Sequence, residues 1–138
     1  MKTEPKTIGK KAFAYSGLKK ITLSQKITTI GESAFAYCPI TSLVLTDNIS
    51  SIGSNAFEQS ALTTITMPKT LTEVPENCFN GCSALKTIGL NTGVKTIDKN
   101  ALKGCSSLLN ITIPANVETI GESAFEDCTK LYNVIFNA

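Results

Sequence analysis

The chain has 138 residues and a formal net charge of +2. Its length predicts one domain, residues 1–138, and its 42% hydrophobic content is enough for a continuous core. All 13 basic residues are lysine, and the absence of arginine, whose planar fork makes bidentate contacts with phosphate and guanine, argues against nucleic-acid recognition. Histidine is absent too, which removes the usual general base near neutral pH and the commonest metal ligand.

The amino terminus reads Met1-Lys2-Thr3-Glu4-Pro5-Lys6, and no apolar stretch follows it. We therefore expect no signal peptide and no membrane insertion in this chain. A piece taken from a longer secreted protein would look the same, so the cellular compartment stays open at this point.

The first element in chain order is a six-residue block that recurs in one register. Four copies read Ile-Gly-x-x-Ala-Phe, and two copies are degenerate. The copies start at the anchor residues Ile8, Ile30, Ile52, Val74, Ile97 and Ile120. Successive anchors are 22 or 23 residues apart, a regularity typical of repeat architectures.

A second block, which we call the strand block, follows each anchor and is apolar at its first, fourth and sixth positions. Its copies span residues 18–23, 40–45, 62–67, 85–90, 108–113 and 131–136. The apolar positions alternate with polar ones towards the end of each copy and carry β-branched or bulky side chains, which predicts a half-buried strand. The extra residue of the 23-residue units falls in the turn before this block, so the strand register is kept.

Together the two blocks predict a solenoid of six turns. A unit of 22 or 23 residues cannot bury its own apolar face, so neighbouring turns must stack and share a core. We expect each turn to add one short strand to a parallel sheet. The return path would bring the anchor, the small residue and the phenylalanine inward through irregular turns or a single helical turn. Glycine after the anchor suits a tight corner.

The succession of Ile-Gly-x-x-Ala-Phe, Cys and Leu-x-x-Ile-x-Leu-Pro resembles the BspA-like (Treponema pallidum type) leucine-rich repeat. The resemblance covers roughly Thr7 to Asn137, although the proline is kept only at Pro68 and Pro114. It implies a right-handed, β-rich solenoid of the α/β class, with a parallel sheet on the concave face and irregular or short helical turns on the convex side. Such repeats occur in bacterial surface and secreted proteins and in some parasitic protists. Where their function is known, it is usually adhesion to host matrix or to other cells, and we expect the bacterial surface setting here.

Neither end of the array has an obvious polar cap. An end turn of a solenoid exposes its core and an unpaired strand edge unless something covers it. Either the chain is a fragment of a longer repeat array, which we favour, or end-to-end self-association covers its ends.

Five cysteines occupy two positions of the repeat. Four lie three residues after the anchor block's Phe or Leu, where Ser16 and Ser60 stand in other turns, and the fifth takes an alanine position. They are Cys38, Cys82, Cys105 and Cys128 and, in the alanine position, Cys78. Small buried positions suit free cysteine, so we interpret the thiols as structural. The alternative is a metal site, or a disulfide between cysteines at equivalent positions of neighbouring turns. The odd number of cysteines and the presence of serine at the same position in other turns argue against it.

No catalytic, cofactor-binding or metal-binding residue is predicted. The recurring phenylalanine has a fixed repeat position, which indicates core. Carboxylates are scattered, whereas acid–base catalysis would need them to converge in one pocket, and no histidine can activate a thiol. A small basic patch on the first turn comprises Lys10, Lys11, Lys19 and Lys20. We interpret it as a solvated surface. The alternative is that it attracts an acidic partner.

The outward-facing positions of the strand block are the candidates for binding a partner. They form a flat ladder, chiefly of hydroxyls and amides, on the predicted concave sheet. The candidate residues are Lys20, Thr22, Ser42, Val44, Thr64, Thr66, Thr87, Asn110, Thr112 and Asn133. Such side chains can hydrogen-bond adaptably to a partner. Threonine and serine also suit an exposed sheet without any ligand, and aromatic hot-spot residues are missing.

We therefore predict a non-catalytic binding scaffold without a cofactor. It would be a cell-surface or secreted module, part of a longer protein, that recognises a protein or glycan of a host or neighbouring cell. The alternative is a structural spacer or stalk with no ligand of its own.

Overall fold

The computed structural model describes residues 4–138; the expectation of no leader rests in part on residues 1–3, which lie outside them. The strands, in chain order, are β1 (Thr7–Ile8), β2 (Thr29–Ile30), β3 (Ser51–Ile52), β4 (Thr64–Thr66), β5 (Glu73–Val74), β6 (Thr87–Gly89), β7 (Thr96–Ile97), β8 (Asn110–Ile113), β9 (Thr119–Ile120) and β10 (Asn133–Phe136). Every strand pair among the described residues is parallel. The chain is a parallel β-solenoid of about six turns, as the repeat predicts.

The strand block forms regular strands in four of the six turns. Strand β4 pairs with β6 in the register Thr64 to Thr87, and β8 pairs with β10 in the register Asn110 to Asn133. In the first two turns no strand is assigned at residues 21–23 or 43–45. The alternation persists there all the same, since Leu43 and Leu45 are buried and Val44 is exposed.

A second set of strands, which the sequence analysis missed, lies directly at the anchors. Strands β1, β2 and β3 form one sheet, and β5, β7 and β9 form another. Each contains an anchor and the residue before it, with Ile8 beside Ile30 and Val74 beside Ile97. The prediction of one strand per turn was therefore incomplete. The missed signal is the Thr-Ile pair, β-branched at both positions, which stands at four of the six anchors.

The return path contains no helix in residues 4–138, so the expectation of short helical turns on this side is wrong. Along this path the N–H groups alternate between two kinds of acceptor. One donates to a carbonyl of the next turn, as Phe13 N does to Ala34 O at 2.8 Å, and the following one donates to a carbonyl earlier in the same turn, as Ala14 N does to Lys11 O at 3.1 Å. Lys11 and Tyr15 have a φ of 58°, and equivalent positions of later turns also have positive φ. Residues with a left-handed backbone conformation therefore stand four positions apart on the return path. They interrupt the right-handed conformation before an α-helix can form.

The core runs through all turns as columns of equivalent residues. The rings of Phe13, Phe35, Phe57 and Phe79 stack with centroids 5.5, 5.5 and 5.6 Å apart. The last three of these rings are fully buried, and Leu102 is buried in the same column. The phenylalanine column is therefore core, as predicted.

The glycine after the anchor permits close approach between turns. A Cβ built on Gly53 would lie 2.5 Å from the Glu32 backbone nitrogen, and one on Gly31 would lie 2.8 Å from the Gly9 carbonyl carbon. Neither glycine has a left-handed φ. The tight-corner interpretation thus identified the right residues, but the physical reason is the packing of one turn's backbone against the turn before it.

We expect Gly53→Ala to destabilise the fold by about 1–3 kcal/mol, because the added methyl group forces two backbones apart. Gly9→Ala is the matched control: nothing lies within 4 Å of its added Cβ, and its effect should stay within about 0.5 kcal/mol. Urea denaturation followed by circular dichroism measures both. Equal losses in the two variants would contradict the close-approach explanation.

Candidate binding face

The outward side chains of the strand block form one continuous surface, which we call the ladder face. All ten candidate residues are exposed, while Leu43, Ile65 and Ile111, which alternate with them, are buried. This follows from strand geometry, in which successive side chains point to opposite sides. Parallel pairing then aligns equivalent residues: the Thr64 and Thr87 hydroxyl oxygens lie 2.7 Å apart in a hydrogen bond.

Most of the ladder face lies in two open depressions. The first, of about 390 Å³, is lined by six of the candidates: Lys20, Thr22, Ser42, Val44, Thr64 and Thr66. The second, of about 730 Å³, is lined by Thr87, Asn110 and Thr112, together with corner residues that include Asn116 and Asn137. Asn133 belongs to neither lining. The structure thus gathers nine of the ten candidates into two depressions on one face.

The chemistry of the ladder face is that of hydrogen bonding with little charge. Among the ten candidates only Lys20 carries a charge, and Val44, which is 79% exposed, is the only apolar residue. Enclosed small-molecule sites bury most of their ligand in a deep apolar cavity. Open depressions lined by hydroxyls and amides suit an extended macromolecule better.

Sequence reasoning missed the corner residues of the second depression. Asn116 and Asn137 lie where the chain leaves the strand block. The Asn116 amide donates to Thr92 O at 2.8 Å, so this side chain also ties neighbouring turns together. The available signal was the replacement of the corner proline by Asn137, which puts a side chain with hydrogen-bonding groups beside the ladder.

The five thiols are buried and free, in agreement with the structural interpretation. The Cys82 thiol donates to Phe57 O at 3.0 Å, and the Cys128 thiol donates to Leu102 O at 3.1 Å. Burial raises the pKa of Cys82 to about 11, although a hydrogen bond from Ser60 opposes this shift. Burial also raises the pKa of Cys78 and of Cys105. A protonated, buried thiol is a poor nucleophile at neutral pH.

Within residues 4–138 no group of three or more Cys, Asp or Glu side chains is placed to hold a metal ion. The same residues include no helix with the length and apolar character needed to cross a membrane.

Stacked turns that each carry a Leu-x-x-Ile-x-Leu strand block define a leucine-rich-repeat solenoid. Residues 6–132 match the BspA type leucine rich repeat region in six copies. The chain therefore belongs to the BspA type leucine-rich-repeat family, as its motifs indicate. None of the curated proteins compared with the chain matches it.

Solved bacterial structures share the fold. A leucine-rich repeat protein from Bacteroides ovatus is 31% identical with a TM-score of 0.79, over 93% of this chain and 33% of its own. A leucine rich cell surface protein from Faecalibacterium prausnitzii is 26% identical with a TM-score of 0.70, over 96% of this chain and 43% of its own. A leucine-rich repeat protein from Eubacterium ventriosum is 28% identical with a TM-score of 0.66, over 88% and 40%. The chain spans less than half the length of each.

Proposed function

We propose that this chain is a non-catalytic binding module of a cell-surface or secreted bacterial protein, and that its ladder face recognises a protein or glycan. The observation that carries the proposal is the alignment of exposed hydroxyls and amides in two adjacent depressions. Leucine-rich repeats commonly mediate protein interaction, and the similar protein from Faecalibacterium prausnitzii is described as a cell surface protein.

Shape and chemistry both favour a macromolecular ligand. The two depressions together run from Lys20 in the first turn to Thr112 in the fifth. A partner lying along the sheet could therefore contact several turns, and the contribution of each turn would be modest. Hydroxyl and amide side chains hydrogen-bond in several geometries. This matches the polar surface of a glycan or an extended protein segment.

The first experiment is to apply the purified chain to arrays of glycans and extracellular-matrix proteins. We expect reproducible binding, and we expect Thr66→Arg to weaken it by about tenfold or more, since an added long cation in the first depression blocks contact at a cost of at least about 1.4 kcal/mol. Thr72→Arg is the matched control. Thr72 is also an exposed threonine, lies directly before β5, and lines neither depression. It should bind like the parent chain.

Two results would count against the ladder face. Equal binding by Thr66→Arg, Thr72→Arg and the parent chain would place the contact elsewhere on the molecule. If correctly folded protein binds nothing on either array, a structural spacer or stalk is favoured. The absence of aromatic side chains from the ten candidate positions also fits a spacer.

A further inference from the structure

Two tyrosine rings stack on the surface of the first two turns, outside the core. Tyr15 and Tyr37 stand at equivalent positions, two residues after the core phenylalanine of their turns, and their ring centroids lie 4.7 Å apart with 6° between the planes. Tyr15 covers the face of Tyr37 that is turned towards the first turn. Tyr37 is still 44% exposed, although it has a neighbouring turn on each side. Its exposure therefore belongs to the interior of the array.

The backbone at this position disfavours a large side chain. Tyr37 has a φ of 57°, in the left-handed region that bulky residues seldom adopt. The third turn has Gln59 at this position, and the fourth and fifth turns have Gly81 and Gly104, with φ of 78° and 75°. The column thus changes from tyrosine through glutamine to glycine, so the surface steps inward from the second turn to the fourth.

An open depression of about 360 Å³, which we call the corner depression, occupies this step. It lies directly before the strand blocks of the second, third and fourth turns, where the length of the repeat changes from 22 to 23 residues. None of the ten candidates of the ladder face lines it. Its lining residues include Tyr37, Pro39, Gln59, Ala61, Gly81 and Ser83.

The corner depression combines an aromatic face with polar groups that carry no charge. Its lining comes from the second to fourth turns, so it meets the face of Tyr37 that Tyr15 leaves uncovered. A Cβ added at Gly81 would overlap the Gln59 side-chain amide, so this amide extends towards the fourth turn, away from the tyrosine ring. Gln59 and Ser83 are both exposed. No aspartate, glutamate or lysine lines the depression.

We propose that the corner depression binds one sugar unit of a neutral glycan, with the sugar ring lying on Tyr37. A pyranose ring presents C–H groups on its faces and hydroxyls around its rim. The C–H groups suit the negative face of an aromatic ring. The Gln59 amide offers two donors and an acceptor to the rim hydroxyls, and the Ser83 hydroxyl can donate or accept. A lining without charged side chains favours a neutral sugar over an acidic one.

A proline-rich peptide is the other occupant that an aromatic surface can take. Such peptides dock in grooves lined by several aromatic residues, whereas Tyr37 is the only aromatic residue that lines the corner depression. The sugar therefore fits this lining better. The site is separate from the ladder face, so the two proposals can fail independently.

The test is isothermal titration calorimetry of the chain with short neutral oligosaccharides of glucose, galactose, mannose and N-acetylglucosamine. We expect at least one of them to bind, with an affinity that changes by less than about twofold between low and high salt, because no charge is involved. Tyr37→Gly should weaken binding by about tenfold or more. This variant should fold, since Gly81 and Gly104 occupy the same position with a similar φ. Tyr37→Phe keeps the ring and should bind nearly as the parent chain does.

Two control variants locate the contact. Tyr132→Ala removes a tyrosine that is 78% exposed but lies outside the corner depression, and Thr66→Arg alters the ladder face. Both should bind the oligosaccharide like the parent chain, and circular dichroism shows that each variant is folded. Equal binding by Tyr37→Gly and the parent chain would overturn the proposal. So would folded parent chain that binds none of the oligosaccharides, or that binds a polyproline peptide in their place.

Discussion

Phe57→Ala should cost about 3–5 kcal/mol of unfolding free energy. The Phe57 ring is fully buried and stacks between Phe35 and Phe79 at centroid distances of 5.5 and 5.6 Å. Its removal leaves a cavity that faces two turns at once. Inter-turn hydrogen bonds, among them Phe35 N to Ala56 O at 2.8 Å and Phe57 N to Cys78 O at 2.9 Å, hold the neighbouring backbones in place and oppose collapse of the cavity. The measurement is urea denaturation followed by far-ultraviolet circular dichroism, since the chain has no tryptophan.

Two further substitutions isolate the cause of that loss. Phe136→Ala removes the same side chain from a site that is 65% exposed, so we expect a loss below about 1 kcal/mol. Phe57→Leu should cost less than Phe57→Ala, because Leu102 fills the same column in another turn and is fully buried there. If Phe57→Ala and Phe136→Ala lowered stability equally, Phe57 would not be the core residue that its burial indicates.

The same substitution probes how the turns cooperate. In a solenoid, stability is approximately a sum of the stabilities of single turns and of the interfaces between neighbours. Phe57 contributes to two interfaces, so its loss should lower the cooperativity of unfolding as well as its midpoint. A smaller dependence of the free energy on urea concentration, relative to the parent chain, would report that uncoupling.

The core could be predicted from the sequence because every core position repeats. Six copies in one register identify the anchors, the phenylalanine column and the apolar positions of the strand block without any structure. The second set of strands escaped because each is two residues long, below the length at which alternation is visible. For the return path we expected irregular turns or a single helical turn, and the sequence did not decide between them. Ser33, at a φ of 56°, is not a residue type that signals a left-handed backbone. Asn55, at 61°, is of a type enriched there, and this signal was missed.

The candidate site could be predicted only as a set of outward positions. Alternation determines that Thr64 and Thr66 point outward, and the structure places both in one depression. The contribution of Asn116 and Asn137 depends on how the corner packs against the next turn, which a pattern within one turn does not specify. The concave curvature, the right-handed winding and membership of a longer array stay predictions.

Alkaline pH should destabilise the protein through its buried thiols. In the folded chain burial raises the pKa of Cys82 from 9.0 to about 11, whereas the unfolded thiol ionises near its ordinary value. The stability that the neutral thiol contributes is therefore complete below about pH 9 and is lost as the pH rises towards about 11. Two pKa units correspond to about 2–3 kcal/mol for this one group.

Cys82→Ser tests the assignment, because serine does not ionise in this range and Ser60 is buried at the equivalent position one turn earlier. We expect parent and variant to have similar dependence on pH below pH 8. Above about pH 9 the free energy of unfolding of the parent should fall more steeply, by up to about 1.4 kcal/mol per pH unit. Lysine and tyrosine ionisation acts on both proteins and cancels in the difference. Parallel curves up to pH 11 would mean that Cys82 ionises as readily in the folded chain as in the unfolded one, and that the thiol column is open to solvent.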